Sequence, residues 1–365
     1  MFCLAIRHFV RARYIVSSPL KSAPPITIER VLLVALLVNT LLAGCERGRR
    51  VLEVSYVAAA QVNLRDQVAA VYNKTGTAKN GERVEVLERQ RRFVRVRTAS
   101  GAEGWVEQRY LVGQAVYDAF QKLIQQNQNA PVQVEGTTRK ETNLHLEPSR
   151  ESDHLYQLSA GEKISIMKRD TTEKQLPGAA PPSSIGTSKE SAAPALEDWW
   201  LARDGQGHVG WLLARMVDLD IPLEIAQYAE GQRFVAFFVL NYVQDDEKKV
   251  PQYLAAMTEA KDGLPFDYNQ VRVFTWNVRR HRYETAYREH NLDGVLPVSI
   301  GHEDFDKEGE LPVFVVRVKD DSGKVKERKY KLNTPIVRRV LAPGEQKEAP
   351  RKSRRTRHGA TAARG

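Results

Sequence analysis

The sequence predicts a mostly β protein, with two small β-barrels followed by a β-rich (α+β) C-terminal domain. Three observations predict it. Short segments such as "ERVEVLE", "FVRVR" and "KISIMK" alternate apolar and polar residues with period two and are bounded by glycine turns. A skeleton of residues in 57–111 recurs in 134–217. Beyond about Leu223 the skeleton stops, and longer apolar or alternating runs with hairpin signals replace it. The chain has 365 residues, 42% of them hydrophobic, which is enough for several globular domains.

Residues 1–44 read as a leader. Arg7, Arg11, Arg13, Lys21 and Arg30 precede or open the fourteen-residue run "VLLVALLVNTLLAG", which carries no charge. About twenty residues are needed to cross the hydrocarbon core as a helix, so this run has the length of a signal-peptide core rather than a spanning segment. It ends in Leu42-Ala43-Gly44-Cys45, which resembles the lipobox of bacterial lipoprotein signal peptides. That resemblance implies cleavage after Gly44, lipidation of the Cys45 sulfur and anchorage to membrane lipid through the acylated cysteine. Two or three acyl chains hold a protein at a bilayer where one does not. Glu46 follows the cysteine in place of the aspartate that marks inner-membrane retention in this family, so the expectation is a cell-envelope protein facing the periplasm or exterior, with the outer membrane favoured. Residues 45–54 are then a tether.

Residues 55–112 form the first barrel and 132–220 the second. Asn63-Leu64-Arg65 corresponds to Asn143-Leu144-His145, and Gly81-Glu82-Arg83-Val84 to Gly161-Glu162-Lys163-Ile164, with eighteen residues from Asn to Gly in both. Phe93-Val94-Arg95-Val96 pairs with Trp200-Leu201-Ala202-Arg203, and Gly101 to Trp105 with Gly207 to Trp211. The pattern resembles the bacterial SH3 (SH3b) family in tandem, His145 standing where that family usually has arginine. The resemblance implies binding of cell-wall peptide, of peptidoglycan or of an envelope protein rather than catalysis. Trp105 and Trp211 are candidate ligand contacts, although core or semi-core positions suit them better. Trp199 and Trp200 are adjacent and face opposite sides of a strand. Trp200 takes the apolar slot of Phe93, so Trp199 is expected to be the exposed ligand-binding residue.

The second copy differs by an insertion, 171–197, rich in Pro, Ser, Ala and Gly. With few bulky apolar groups to offset ordering entropy it is expected to be a disordered loop. Between the barrels, 113–131 places Val116, Phe120, Leu123 and Ile124 at helical spacing before Pro131 and predicts a linker helix.

In the C-terminal domain, 221–342, "RFVAFFVLNYV" reads as a strand and "VPQYLAAMTEAKDG" as a helix entered at Pro251 and closed near Gly263. Two hairpins follow, one turning at Asn277–Arg282 and one at Asp321–Gly323. Arg279, Arg280, His281 and Arg282 flank Trp276 and Tyr283. The cluster is either an anion or glycan contact, with Trp276, Arg280 and Arg282 as candidate ligand-binding residues, or a solvated hairpin tip whose arginines answer Glu284 and Glu289.

The charge of +10 lies at the two ends. Five basic residues oppose Glu29 in 1–44, and seven oppose Glu345 and Glu348 in the tail, so the middle holds about one excess positive charge. The basic tail, 343–365, has a disordered composition and suits an anionic surface such as lipopolysaccharide or phospholipid headgroups. No nucleic-acid partner is expected, because the leader places the chain outside the cytoplasm. Cys3 and Cys45 are the two cysteines, no His has H-E-x-x-H spacing, and G-x-S-x-G, P-loop and Rossmann motifs are missing. Without a second mature cysteine, the Cys-His pair of cell-wall peptidases that carry SH3b repeats cannot be assembled. Hence no catalytic residue, metal site or cofactor is expected, and the protein is read as a non-enzymatic envelope lipoprotein. The alternative is a structural or assembly factor of an envelope complex in which the SH3b domains are spacers and the C-terminal domain docks the partner.

Overall fold

The computed structural model describes residues 50–174 and 195–341. The leader with Cys45, the middle of the 171–197 insertion and the basic tail lie outside the described residues.

The first module contains β1 (Glu53–Val57), β2 (Gln61–Arg65), β3 (Lys74–Lys79), β4 (Arg83–Gln90), β5 (Phe93–Thr98), β6 (Glu103–Glu107) and β7 (Leu111–Gly113), in the sheet order β3-β2-β6-β5-β4-β1-β7. Alternation decides what goes inside: Val62 and Leu64 of β2, Val84 and Val86 of β4, and Val94 and Val96 of β5 share one core with Val57 and Val106. Helix α1 (Gln114–Gln126) follows, burying Phe120. This is the linker helix the spacing predicts.

The second module contains β8 (Val134–Thr138), β9 (Thr142–His145), β10 (His154–Leu158), β11 (Lys163–Glu173), β12 (Leu196–Asp204), β13 (Val209–Leu213) and β14 (Val217–Leu219). Its order, β10-β9-β13-β12-β11-β8-β14, is that of the first module strand for strand. The correspondence extends to single residues. Arg65 pairs across the sheet with Trp105 as His145 does with Trp211. Gly81 and Gly161 both take φ near +75°, at 74° and 78°. The carboxylates of Glu82 and Glu162 each accept from the amide three residues earlier, Lys79 at 2.9 Å and Ser159 at 2.8 Å. Gly104 and Gly210 are required for a different reason: a Cβ on either would lie 2.6 Å from the Cβ of Leu64 or Leu144.

Two expectations for this module are corrected. The β11–β12 ladder runs on through Thr171↔Asp198, Thr172↔Glu197 and Glu173↔Leu196, so both ends of the supposed loop 171–197 are strand. Polar composition concealed this because Glu197 and Asp198 are buried through arginine pairing. Trp199 is fully buried at 0% exposure and Trp200 at 3%. Both faces of β12 are covered: Trp199 meets the His145 ring edge-on at 5.4 Å, and Trp200 joins the core shared with the C-terminal domain.

That domain follows α2 (Leu223–Ala226) and is a seven-stranded antiparallel meander: β15 (Gln232–Asp245), β16 (Lys248–Glu259), β17 (Tyr268–Asn277), β18 (Arg282–Asp304), β19 (Glu310–Lys319), β20 (Val325–Asn333) and β21 (Ile336–Val340). The helix expected at Pro251–Gly263 is strand β16. Gln252 to Thr258 are buried without interruption, and a strand covered on both faces loses the alternation that separates it from a helix. The two hairpin turns fall where the sequence puts them, between β17 and β18 and between β19 and β20.

The second module and the meander share one core, in which Ile164, Ile166, Trp200 and Leu212 pack with Leu240, Leu254, Val273 and Phe314. Gln133, with no exposure, binds Val298 as a backbone would. Its side-chain oxygen accepts from the Val298 amide at 2.7 Å, its side-chain nitrogen donates to the Val298 carbonyl at 3.2 Å, and its own carbonyl accepts from Phe237 at 2.8 Å. Beside it lies an ionic cluster. Arg169 of β11 donates to Asp198 of β12 at 2.7 Å and to the Phe266 carbonyl at 2.9 Å, while Arg233 of β15 pairs with Asp198 and with Asp262 at 2.7 Å. The Gly263 amide and the Thr171 hydroxyl complete the shell of Asp198 at 3.0 and 2.9 Å. The first module joins through the Tyr56–Tyr117 stack, at 4.0 Å, and Asn80, which donates to the Leu155 carbonyl at 2.8 Å.

Burial alone would raise the Asp198 carboxyl, but the hydrogen bonds from Arg169 and Gly263 and the charges of Arg169 and Arg233 outweigh it and hold the group below its ordinary value. A lowered value stabilises the fold above the unfolded carboxylate range and loses that contribution as pH falls through the folded value. Asp198→Asn removes the charge that Arg169 and Arg233 share and leaves the buried Arg169 only its longer contact to Asp267 at 3.3 Å, and urea unfolding at neutral pH should show a loss of about 3–5 kcal/mol. The wild-type stability should fall below roughly pH 4, with a shallower fall in the variant. Gly104→Ala and Gly210→Ala should each cost about 1–3 kcal/mol by the same measurement, with the backbone carbonyl of Arg65 or His145 also in the way.

Candidate functional site

Antiparallel pairing brings the β15–β16 turn and the β17–β18 turn to the same end of the meander. There the structure builds a cleft of about 520 Å³, lined by Glu224, Lys248, Lys249, Val250, Pro251, Trp276 and Tyr283. Trp276 and Tyr283 are cross-strand partners with ring centroids 5.0 Å apart in an edge-to-face arrangement. The indole is fixed by its nitrogen, which donates to Asp245 Oδ2 at 2.7 Å. His281 Nδ1 lies 2.9 Å from the same oxygen, held there by a backbone with φ of +46° at the turn. The Tyr283 hydroxyl donates to the Pro251 carbonyl at 3.0 Å, and burial pushes its titration upward. The hydrogen bonds from His281 and Trp276 lower the Asp245 carboxyl, so it is ionised at neutral pH.

The predicted basic cluster divides. Arg280 and Arg282 both reach Glu284, at 3.0 and 3.3 Å, so they answer that carboxylate as the hairpin-tip reading holds. Glu289 does not join them: Arg328, Tyr287 and Tyr330 hold it, at 2.8, 2.8 and 2.6 Å. Among the described residues the side chains of Lys249 and Arg279 make no ion pair, and Lys249 stands on the cleft wall. An aromatic floor with an uncommitted cation is suited to holding a planar or sugar-like ring that carries negative charge. Among the described residues no three His, Cys, Asp or Glu side chains gather to hold a metal ion, and no helix is long and apolar enough to cross a membrane.

The other candidates are placed elsewhere. Trp105 is buried at 7% exposure, and Trp211, half-buried, packs on Met167, Leu201 and Val209. Trp199 is interior, and Cys45 lies outside the described residues. The role of Asp245 rests on partners 31 and 36 residues away, and no short-range pattern records it. In the first module Arg65 stacks over Tyr72 at 4.2 Å and Phe93 at 5.3 Å beside Glu107 at 3.6 Å, a planar cation between aromatic faces at the motif position flagged in the sequence.

Asp245→Ala removes the one acceptor that Trp276 Nε1 and His281 Nδ1 share. Urea unfolding should register a loss of stability, and the indole N–H resonance of Trp276 should move in a proton NMR spectrum. An unchanged resonance would show that the indole is not held this way.

Residues 60–112 match the bacterial SH3 domain family. A search of curated proteins finds no match. Among the solved structures that match are NlpC2 and NlpC1 from Trichomonas vaginalis, at 11% and 12% identity over 47% and 46% of this chain, each with a TM-score of 0.15. An NlpC/P60 family protein from Bacillus cereus matches at 11% identity over 52% of this chain, with a TM-score of 0.22. The chain spans 49%, 45% and 65% of those three chains, and TM-scores this low do not establish a shared fold. What the comparisons give is a bacterial SH3 domain at residues 60–112.

Proposed function

We propose that the protein is a non-enzymatic, membrane-anchored lipoprotein of the cell envelope whose two SH3-like modules bind cell-wall peptide or peptidoglycan. The observation that carries the reading is the bacterial SH3 domain at 60–112, because domains of that family suggest cell-wall binding. The second module repeats the strand order of the first and its residue-level devices, which supports assigning it to the same family. The Leu42-Ala43-Gly44-Cys45 sequence supports the address. Lipidation at Cys45 would hold the modules at a membrane surface, and the basic tail would rest on an anionic one.

The test uses the mature chain beginning at Cys45, with Cys45→Ser to keep it soluble. It should pellet with purified peptidoglycan and much less with glycan strands stripped of their peptides. Equal pelleting with the stripped glycan would refute peptide recognition. No pelleting, together with co-purification of an envelope protein with the anchored chain, would replace the reading by the assembly role. In cells, a labelled fatty acid should be incorporated into the wild type and not into Cys45→Ser, and equal labelling of both would remove the lipid anchor.

A further inference from the structure

A second cleft, of about 490 Å³, lies where the second module meets the meander and is within the range of small-ligand sites, roughly 300–1,000 Å³. Its floor is apolar: Trp200, Val217, Ile221 and Phe234, with the small side chains of Ala226 and Ala229 giving shallow relief. Charged groups surround its mouth, Arg139, Arg215 and Arg233 against Asp218 and Asp262.

The pairing at the mouth is uneven. Arg139 pairs with Asp218 at 2.7 Å, and Arg233 with Asp262 at 2.7 Å. Among the described residues Arg215 has no carboxylate partner on the mouth. It pairs with Glu197 at 3.4 Å, and that carboxylate is already gripped through both oxygens by Arg150. The Arg215 side chain is 54% exposed, so its guanidinium keeps most of its donors free. Arg139 and Arg233 are each matched by a carboxylate on the mouth, whereas Arg215 only shares Glu197 with Arg150, so its exposed fork can take a further carboxylate in two-point geometry. The walls are set beforehand, because Arg233 of the meander is tied to the buried Asp198 of the second module.

We infer that this junction cleft binds a short peptide with a free C-terminal carboxylate and small apolar side chains, the carboxylate meeting Arg215 and the side chains lying on the floor of Trp200, Ala226, Ala229 and Phe234. The two ion pairs on the rim offer donors and acceptors to a peptide backbone, which a plain hydrocarbon chain could not use. The inference deepens the cell-wall reading and rests on it only for the source of the peptide. A peptide released from the wall and one still attached to it share this chemistry.

Calorimetric titration of the mature chain with tri-alanine, tri-alanine amide and octanoate tests it. Tri-alanine should bind, with the amide about ten-fold weaker or more. Arg215→Ala should weaken tri-alanine by about the same factor and leave the amide unchanged, and Arg215→Lys should recover part of the loss. Thermal unfolding of both variants should match the wild type, since Arg215 is half exposed and weakly paired. Equal affinity for acid and amide, tighter binding of octanoate, or indifference to Arg215→Ala would overturn the inference. Peptidoglycan pelleting of Arg215→Ala separates the two proposals. Pelleting of the wild type without tri-alanine binding removes the cleft and leaves the cell-wall reading standing. Tri-alanine binding without pelleting keeps the cleft and identifies free peptide as its source.

Discussion

Asp198 is an ionised carboxylate with 1% of its side chain exposed, on β12, a central strand of the second module, where that module meets the meander. A charge in that position is stable only if every nearby donor is turned toward it. Arg169 comes from the neighbouring strand, Arg233 from the first strand of the meander and Gly263 from the turn after the second. Satisfying one buried charge therefore fixes the relative position of β11, β12, β15 and the 260–267 turn. The shared core and the Gln133–Val298 pairing lie on the same junction. The clefts described above depend on this constraint to different degrees. The junction cleft exists because the two modules are held there, whereas the Trp276 cleft is formed by turns of the meander itself.

The two modules illustrate how a repeated backbone can carry different surroundings. Gly104 and Gly210 each face a leucine Cβ and the next residue's carbonyl, and the Gly81 and Gly161 turns have the same hand and the same carboxylate brace. At the position that faces the conserved-in-register tryptophan, Arg65 in the first copy stacks over Tyr72 and Phe93, whereas His145 in the second turns its ring against a buried Trp199. The first copy keeps a cation at its surface. The second has traded it for packing, because its other face is covered by the meander.

The two clefts share one design. The Trp276 cleft supplies an aromatic floor and an uncommitted lysine, and the junction cleft supplies an apolar floor and an under-paired arginine. Each pairs a surface that favours burial of carbon with one cation that favours an acidic group. Wall material that combines sugar rings, short peptides and carboxylates has the complementary composition.

The sequence alone determined the strand alternation, the eighteen-residue spacing of the repeat, the glycine turns, the α1 helix and the two late hairpins. Each of these depends on what a residue does to its own backbone or to near neighbours: positive φ at Gly81, period two in "FVRVR", helical spacing from Val116 to Ile124. The tertiary structure decided what local patterns cannot encode. Trp199 is interior because His145 covers it from another strand, and the strand 252–258 lacks alternation because its two faces enter two different cores, Leu254 and Ala256 one, Tyr253, Ala255 and Met257 the other. Polar Glu197 and Asp198 belong to a core strand because arginines 47 and 29 residues upstream neutralise them. Local rules act through the backbone of a few residues, whereas burial of a ring or a charge is settled by whichever distant group arrives to cover it.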